Sequence, residues 1–118
     1  MITKLDKTLT LEGKSGKEYA FKLSTFDKFE DVKDGFTGHG LYVFTNRDSQ
    51  CKHTLIYLGM ASTLETRFDN HHKEKCIKAN GANCLGIYHM NNSTKEARKE
   101  AESDILAAYN FTCNDQEN

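Results

Sequence analysis

No proline occurs in the 118 residues, so no turn can rest on a fixed φ, and Gly, Asn, Asp and Ser must make them all. Long apolar runs are also missing. Hydrophobic residues make up 37% of the chain and fall in short stretches, far below the roughly 18 consecutive apolar residues of a membrane span. The start, Met1-Ile2-Thr3-Lys4-Leu5-Asp6, lacks the apolar segment of a secretory signal, and a cytoplasmic location is expected. Cys51, Cys76, Cys84 and Cys113 include no C-x-x-C pair, and without an export signal they are expected to be reduced thiols. A zinc site from Cys76, Cys84 and His71 or His72 would match no standard ligand spacing. Neither sign of charge is in excess, with 16 Lys and Arg against 17 Asp and Glu. A net charge of −1 exerts no global pull on a polyanion, so nucleic-acid binding would depend on a local basic patch and be weak and salt-sensitive.

What is present reads as one domain, residues 1–118, with no repeat, low-complexity tract or linker. Residues 1–36 are expected to form an N-terminal extension, 37–114 a core and 115–118 a tail. Lys7 to Leu11 and Tyr19 to Leu23 alternate apolar and polar residues around Gly13-Lys14-Ser15-Gly16, the pattern of a β-hairpin able to cover a sheet edge. Phe26, Phe29 and Val32 recur at three-residue spacing and allow a short helical turn before Asp34-Gly35. Leu41 to Thr45 and Thr54 to Leu58 read as adjacent strands across a polar loop. Ser62-Thr63-Leu64-Glu65 and Ser93-Thr94-Lys95-Glu96 both fit the S/T-x-x-E capping box, which predicts helices near Thr63–Lys73 and Thr94–Tyr109. Asn80-Gly81-Ala82-Asn83 reads as a turn before a strand over Cys84 to Met90.

Gly40-Leu41-Tyr42 and Tyr57-Leu58-Gly59 occupy the two adjacent strands, and Arg67, His71, Glu102 and Asn114 follow in order. This arrangement, over roughly Gly40 to Asn114, resembles the GIY-YIG nuclease superfamily. The resemblance implies an α/β (α+β) fold with a short central antiparallel sheet flanked by helices, to which the N-terminal β-hairpin is an extension. It also implies a metal-dependent endonuclease that hydrolyses phosphodiester bonds in nucleic acid, DNA being expected over RNA, with Mg²⁺ or Mn²⁺ as cofactor. The rival reading is a catalytically weak or inactive module of the same fold that binds nucleic acid or protein.

On the resemblance, Tyr57 is expected to activate the attacking water and Tyr42 to hydrogen-bond beside it. A free phenol has a pKa of about 10, so cations or a metal-bound hydroxide must assist it near neutrality. Tyrosines in strands are otherwise packing residues. Arg67 and His71 stand four apart on one face of the predicted helix. There the guanidinium would stabilise charge developing on the phosphate, and the imidazole would donate a hydrogen bond or move a proton. His72 competes with His71 for that role.

Periodicity sorts the acids of the last helix. Glu96, Glu100 and Asp104 form an i, i+4 row expected to face water, while Glu102 shares its face with Ile105, Leu106 and Tyr109. A carboxylate beside an apolar stripe needs a partner: a divalent metal is one, and Arg98 four residues earlier is another. Asn114 is either a supporting site residue, as in the family, or part of the tail. Two features depart from the family pattern: Met60 follows the Y-L-G glycine where a polar residue is common, and no proline turn follows the last helix. Lys73, Lys75, Lys95 and Lys99, with Lys78 and Arg98, are the basic residues expected to contact phosphates.

Overall fold

Alternation over residues 8–23 does produce a hairpin. In the computed structural model, which describes residues 8–27, 38–61 and 73–114, strand β1 (Thr8–Glu12) pairs antiparallel with β2 (Glu18–Thr25), Leu11 opposite Tyr19 and Leu9 opposite Phe21. Leu11, Tyr19 and Phe21 are buried, as a half-buried sheet requires of one set of alternating residues. Strand β3 (Gly40–Arg47) pairs with β4 (His53–Ala61) along its whole length. On its other side it pairs with β5 (Cys84–His89), which in turn pairs with β2. The order β1-β2-β5-β3-β4 is antiparallel throughout, so the hairpin extends the sheet and covers the outer edge of β5.

Two short helices complete the described fold, α1 (Glu74–Ala79) and α2 (Lys95–Leu106), and they pack on opposite faces of the sheet. Ile77 of α1 joins Tyr42, Phe44, Ile56, Tyr57 and Ile87 in one core. Ala101 and Ile105 of α2 join Phe21, Leu41, Val43, Leu58 and Phe111 in the other. Because β3 is flanked on both edges and covered on both faces, Leu41 to Thr45 are all fully buried. A register shift between Phe44 and Thr45 leaves Ile56 as an extra residue on β4, so Ile56 and Tyr57, though consecutive, both enter the first core. Among the described residues no helix is long and apolar enough to cross a membrane.

Several expectations change. The helix expected near Thr63–Lys73 and the turn over Phe29 and Val32 lie outside the described residues. Helix α1 was not foreseen: it has no side-chain cap and buries only Ile77, so neither capping chemistry nor periodicity marks it. Helix α2 begins one residue later than its capping box suggests. Thr94, not Ser93, is the cap, its hydroxyl accepting from the Ala97 amide at 3.0 Å. Ser93 is otherwise engaged, its carbonyl and hydroxyl each accepting from Arg98 Nη1 at 2.9 Å. Arg98, 6% exposed, is thus an internal clamp on the start of its own helix and not a phosphate contact.

The cysteines also differ from expectation. Cys76 and Cys113 form a disulfide with Cα atoms 6.0 Å apart, although they are 37 residues apart in sequence. Tertiary folding brings α1 and the segment after α2 to the same face, a proximity that residue spacing does not encode. In the chain-entropy view a crosslink of this span stabilises the fold by about 3–4 kcal/mol. The zinc grouping fails with it: Cys76 is bonded to Cys113, and Cys84 is a buried free thiol whose neighbour Leu85, not Cys84 itself, points into the core shared with Ile77.

Asp104 does not simply face water. Its carboxylate accepts from the Ser15 amide at 2.9 Å, the Ser15 hydroxyl at 2.7 Å and the Tyr19 hydroxyl at 2.9 Å, while its carbonyl accepts from the Lys14 amide at 3.0 Å. These bonds dock the hairpin turn on the end of α2. Hydrogen bonds from the Ser15 hydroxyl and amide hold the Asp104 carboxyl below the usual carboxylate range. The Tyr19 phenol is pushed up to about 12, first by burial and then by its bond to Asp104 and the charge there. A lowered carboxylate pKa stabilises the fold above its unfolded value, and that contribution disappears as pH falls through the folded value. For Tyr19 the contribution is present below the usual phenol value and is lost as pH rises toward about 12. Asp104→Asn should therefore lower the melting temperature at pH 7, and the difference from the native protein should shrink as pH falls through the lowered native value. In an alkaline absorbance titration it should also lower the Tyr19 ionisation from about 12, leaving the part of the rise that burial causes. An Asp104→Asn protein with the native melting temperature at pH 7 and an unmoved Tyr19 titration would show that the docking contributes nothing.

Candidate active site

Strand pairing sets the two tyrosines side by side. Tyr42 lies opposite Gly59, and Phe44 lies opposite Tyr57, so both phenols project from the same face of the sheet. Their ring centroids are 6.0 Å apart at an interplanar angle of 39°. Gly59 is the reason they can close: a Cβ there would stand 2.5 Å from both Cζ and Oη of Tyr42 and 2.9 Å from Cε2 of Tyr57. Gly40 has a related role, since a Cβ at that position would run into the carbonyl oxygen of Tyr88 on β5. The glycines of G-L-Y and Y-L-G are therefore packing requirements of the tyrosine pair and of the β3–β5 seam. Both tyrosines are buried, at 0% and 4% exposure.

Asn114 returns to this strand pair. After Phe111, buried on the α2 face, the chain passes along the free edge of β4, the Thr112 amide donating to Leu55 at 3.3 Å and the Cys113 amide to Ile56 at 2.7 Å. The Asn114 side chain then clamps Leu58, accepting from its amide at 2.7 Å and donating to its carbonyl at 2.9 Å. Leu58 is the middle residue of Tyr57-Leu58-Gly59, so Asn114 is a site neighbour and not a loose tail. No proline turn is needed, because Cys113 is anchored to Cys76 and the edge of β4 supplies the hydrogen bonds.

Other expected members are separated from this group. Glu102 is half-buried on the flank of α2, and the neighbouring Ala101 and Ile105 pack on the face opposite the tyrosines. Arg67 and His71, with the competing His72, lie outside the described residues. Lys73 and Lys75 belong to the start of α1 on the tyrosine face, whereas Lys95 and Lys99 are exposed on α2 on the other. The lysines thus form two groups and not one patch. Lys78 is engaged with Glu74 at 3.0 Å. Met60 pairs with Leu41 and packs in the α2-side core, so the residue that departs from the family pattern points away from the tyrosines.

His89 was missed. It ends β5 opposite Gly40, is exposed, and by alternation with Leu85 and Ile87 belongs to the tyrosine face. That alternation is legible in Cys84 to Met90, whereas the family pattern points to a histidine on the helix after Y-L-G. Among the described residues, no three His, Cys, Asp or Glu side chains are grouped to hold a metal ion alone. A groove of about 680 Å³ between the hairpin turn and α2, lined in part by Lys14, Lys17, Glu100 and Asp104, lies on the α2 face, away from the tyrosines.

Gly59→Ala tests the packing of the pair directly. The added methyl must displace two buried rings, and overpacking of this kind costs about 1–3 kcal/mol. Urea unfolding should show that loss together with an altered near-ultraviolet circular dichroism of the tyrosines. A variant with native stability and an unchanged aromatic spectrum would contradict the packing described.

Comparison of the chain with family models, with curated proteins and with solved structures finds no match, so the resemblance to the GIY-YIG superfamily rests on the residues of this chain alone.

Proposed function

We propose that this α+β domain is a divalent-metal-dependent nuclease that hydrolyses phosphodiester bonds, with DNA as the preferred substrate and the cytoplasm as its location. The observation that carries this reading is the clamp of Asn114 on Leu58, made across 56 residues of sequence. The adjoining Cys113, bonded to Ile56 and Cys76, brings Asn114 to β4, and there it meets the Y-L-G segment of the site to which the resemblance assigns it. The adjacency of the Tyr42 and Tyr57 rings supports the same reading.

In the proposed reaction, water attacks phosphorus in line with the leaving oxygen while Tyr57 receives or relays the water proton and Tyr42 holds the phenol in place. Arg67 and His71 are assigned to the phosphate oxygens, where a permanent cation and a hydrogen-bond donor stabilise the charge that develops. Asn114 sets the backbone of Leu58 and with it the position of the neighbouring Tyr57 hydroxyl. Glu102 would hold Mg²⁺ or Mn²⁺, which when bound neutralises charge on the phosphate and leaving oxygen. Because α2 packs across β4 and β3, substrate would reach both Glu102 and Tyr57 around the β4 edge.

A second reading has its own support. Both tyrosines are buried, the helix of Glu102 lies on the other face, and Arg98 is used internally. Those facts suit a module that keeps the fold for binding nucleic acid or protein without cleaving. The two readings separate on incubation with labelled single- and double-stranded DNA and RNA in Mg²⁺, Mn²⁺ or chelator. The nuclease reading expects metal-dependent cleavage that falls about 10²-fold in Glu102→Ala and persists in Glu100→Ala, which alters an exposed acid of the same helix. Cleavage in chelator, or loss in Glu100→Ala with retention in Glu102→Ala, would refute the site. Absence of cleavage on every substrate, with binding that weakens steeply between about 50 and 200 mM salt, would establish the module reading.

A further inference from the structure

The segment that carries Asn114 has few anchors of its own. Among the described residues, Phe111 and Cys113 are its buried side chains, and the amides of Thr112 and Cys113 with the side chain of Asn114 bond it to β4. The covalent anchor is the disulfide to Cys76. Its two residues differ in exposure: Cys113 is fully buried, whereas Cys76 is only half-buried on α1. Asn80 serves both, its side-chain amide lying 3.6 Å from each sulfur while also donating to the Cys76 carbonyl at 2.8 Å.

We propose that the Cys76–Cys113 disulfide is a reducible latch that holds Asn114 on β4, so that the Tyr57-Leu58-Gly59 segment is fully braced only in the oxidised protein. The co-reactant is a dithiol. A dithiol thiolate attacks the sulfur of the less buried residue, Cys76, the S–S bond breaks, and its electron pair leaves on Cys113 sulfur as a thiolate facing the amide of Asn80. That thiolate takes a proton. The second thiol of the reductant then displaces Cys76, which is also protonated, and the reductant departs as a disulfide. Two electrons and two protons have passed to the protein. The segment is left with Phe111 and its β4 hydrogen bonds, and a segment held by so few contacts opens locally long before the sheet unfolds. The latch itself stands on geometry alone; only its effect on cleavage rests on the nuclease reading.

Amide hydrogen exchange tests it without any substrate. In the oxidised protein the Leu58 amide is protected by Asn114 Oδ1. Dithiothreitol, or Cys76→Ser without reductant, should speed Leu58 exchange about 10-fold or more. The amide of Val43 at the sheet centre should keep its native rate, and Cys51→Ser, which alters an exposed free thiol, should behave as the native protein. The proposal is overturned if Leu58 exchanges equally fast in both redox states, or if mass spectrometry of air-oxidised protein finds Cys76 and Cys113 unpaired. Cleavage assays in both states then separate the two readings. A redox-dependent Leu58 amide with no cleavage in either state leaves the latch standing and removes the nuclease. Equal cleavage in both states despite a deprotected Leu58 shows that the latch does not govern the site.

Discussion

Strand β3 is hydrogen-bonded along both edges, to β4 by residues Gly40 to Arg47 and to β5 by residues Gly40 to Thr45, and the rest of the structure depends on that double pairing. It fixes register on both sides at once, and with side chains alternating, a slip of one residue would send Tyr42 and Phe44 into the α2-side core. Among the described residues, the same pairing divides the interior into two cores on either side of the sheet. Helix α1 and the tyrosines belong to one, helix α2 and the hairpin aromatics to the other. The Tyr42–Tyr57 pair is a product of this register, and the bulge at Ile56 is what turns Tyr57 to the face that Tyr42 occupies.

Two asparagines extend the ladder at strand edges and ends. Asn83 accepts from the Arg47 amide at 2.7 Å and donates to the Arg47 carbonyl at 3.1 Å, just as Asn114 does for Leu58. A primary amide side chain carries one acceptor and a donor in nearly the geometry of a peptide group, so it can satisfy an edge residue where no strand follows. The clamp therefore serves stability whether or not the domain cleaves anything. That dual use explains why the position of Asn114 supports the functional reading without being peculiar to it.

Polar chemistry docks the hairpin turn on α2 beside the apolar core that the two share. Asp104 receives three hydrogen bonds from Ser15 and Tyr19, and the Tyr109 hydroxyl accepts from the Glu12 amide at 3.0 Å. An i, i+4 acidic row looks solvated when only its own helix is considered. The partner of Asp104 comes from about 90 residues away, so helical periodicity correctly placed Glu102 beside the stripe while misjudging Asp104.

Local patterns in the sequence were enough to determine the strands and α2. Alternation, turn residues and a hydroxyl cap act over a few positions, and they specified the hairpin, the paired strands carrying Tyr42 and Tyr57, the turn at Asn80 to Asn83 and the half-buried setting of Glu102. The residue types of the candidate site were legible for the same reason. Only the tertiary structure decided the rest: that α1 forms around a single buried Ile77, that Cys76 meets Cys113, that Arg98 is spent on Ser93, and that Lys75 and Lys99 stand on opposite sides of the sheet. Each of these depends on which face of the sheet a distant segment covers. That choice is made by packing between elements, and no periodicity within one element can record it.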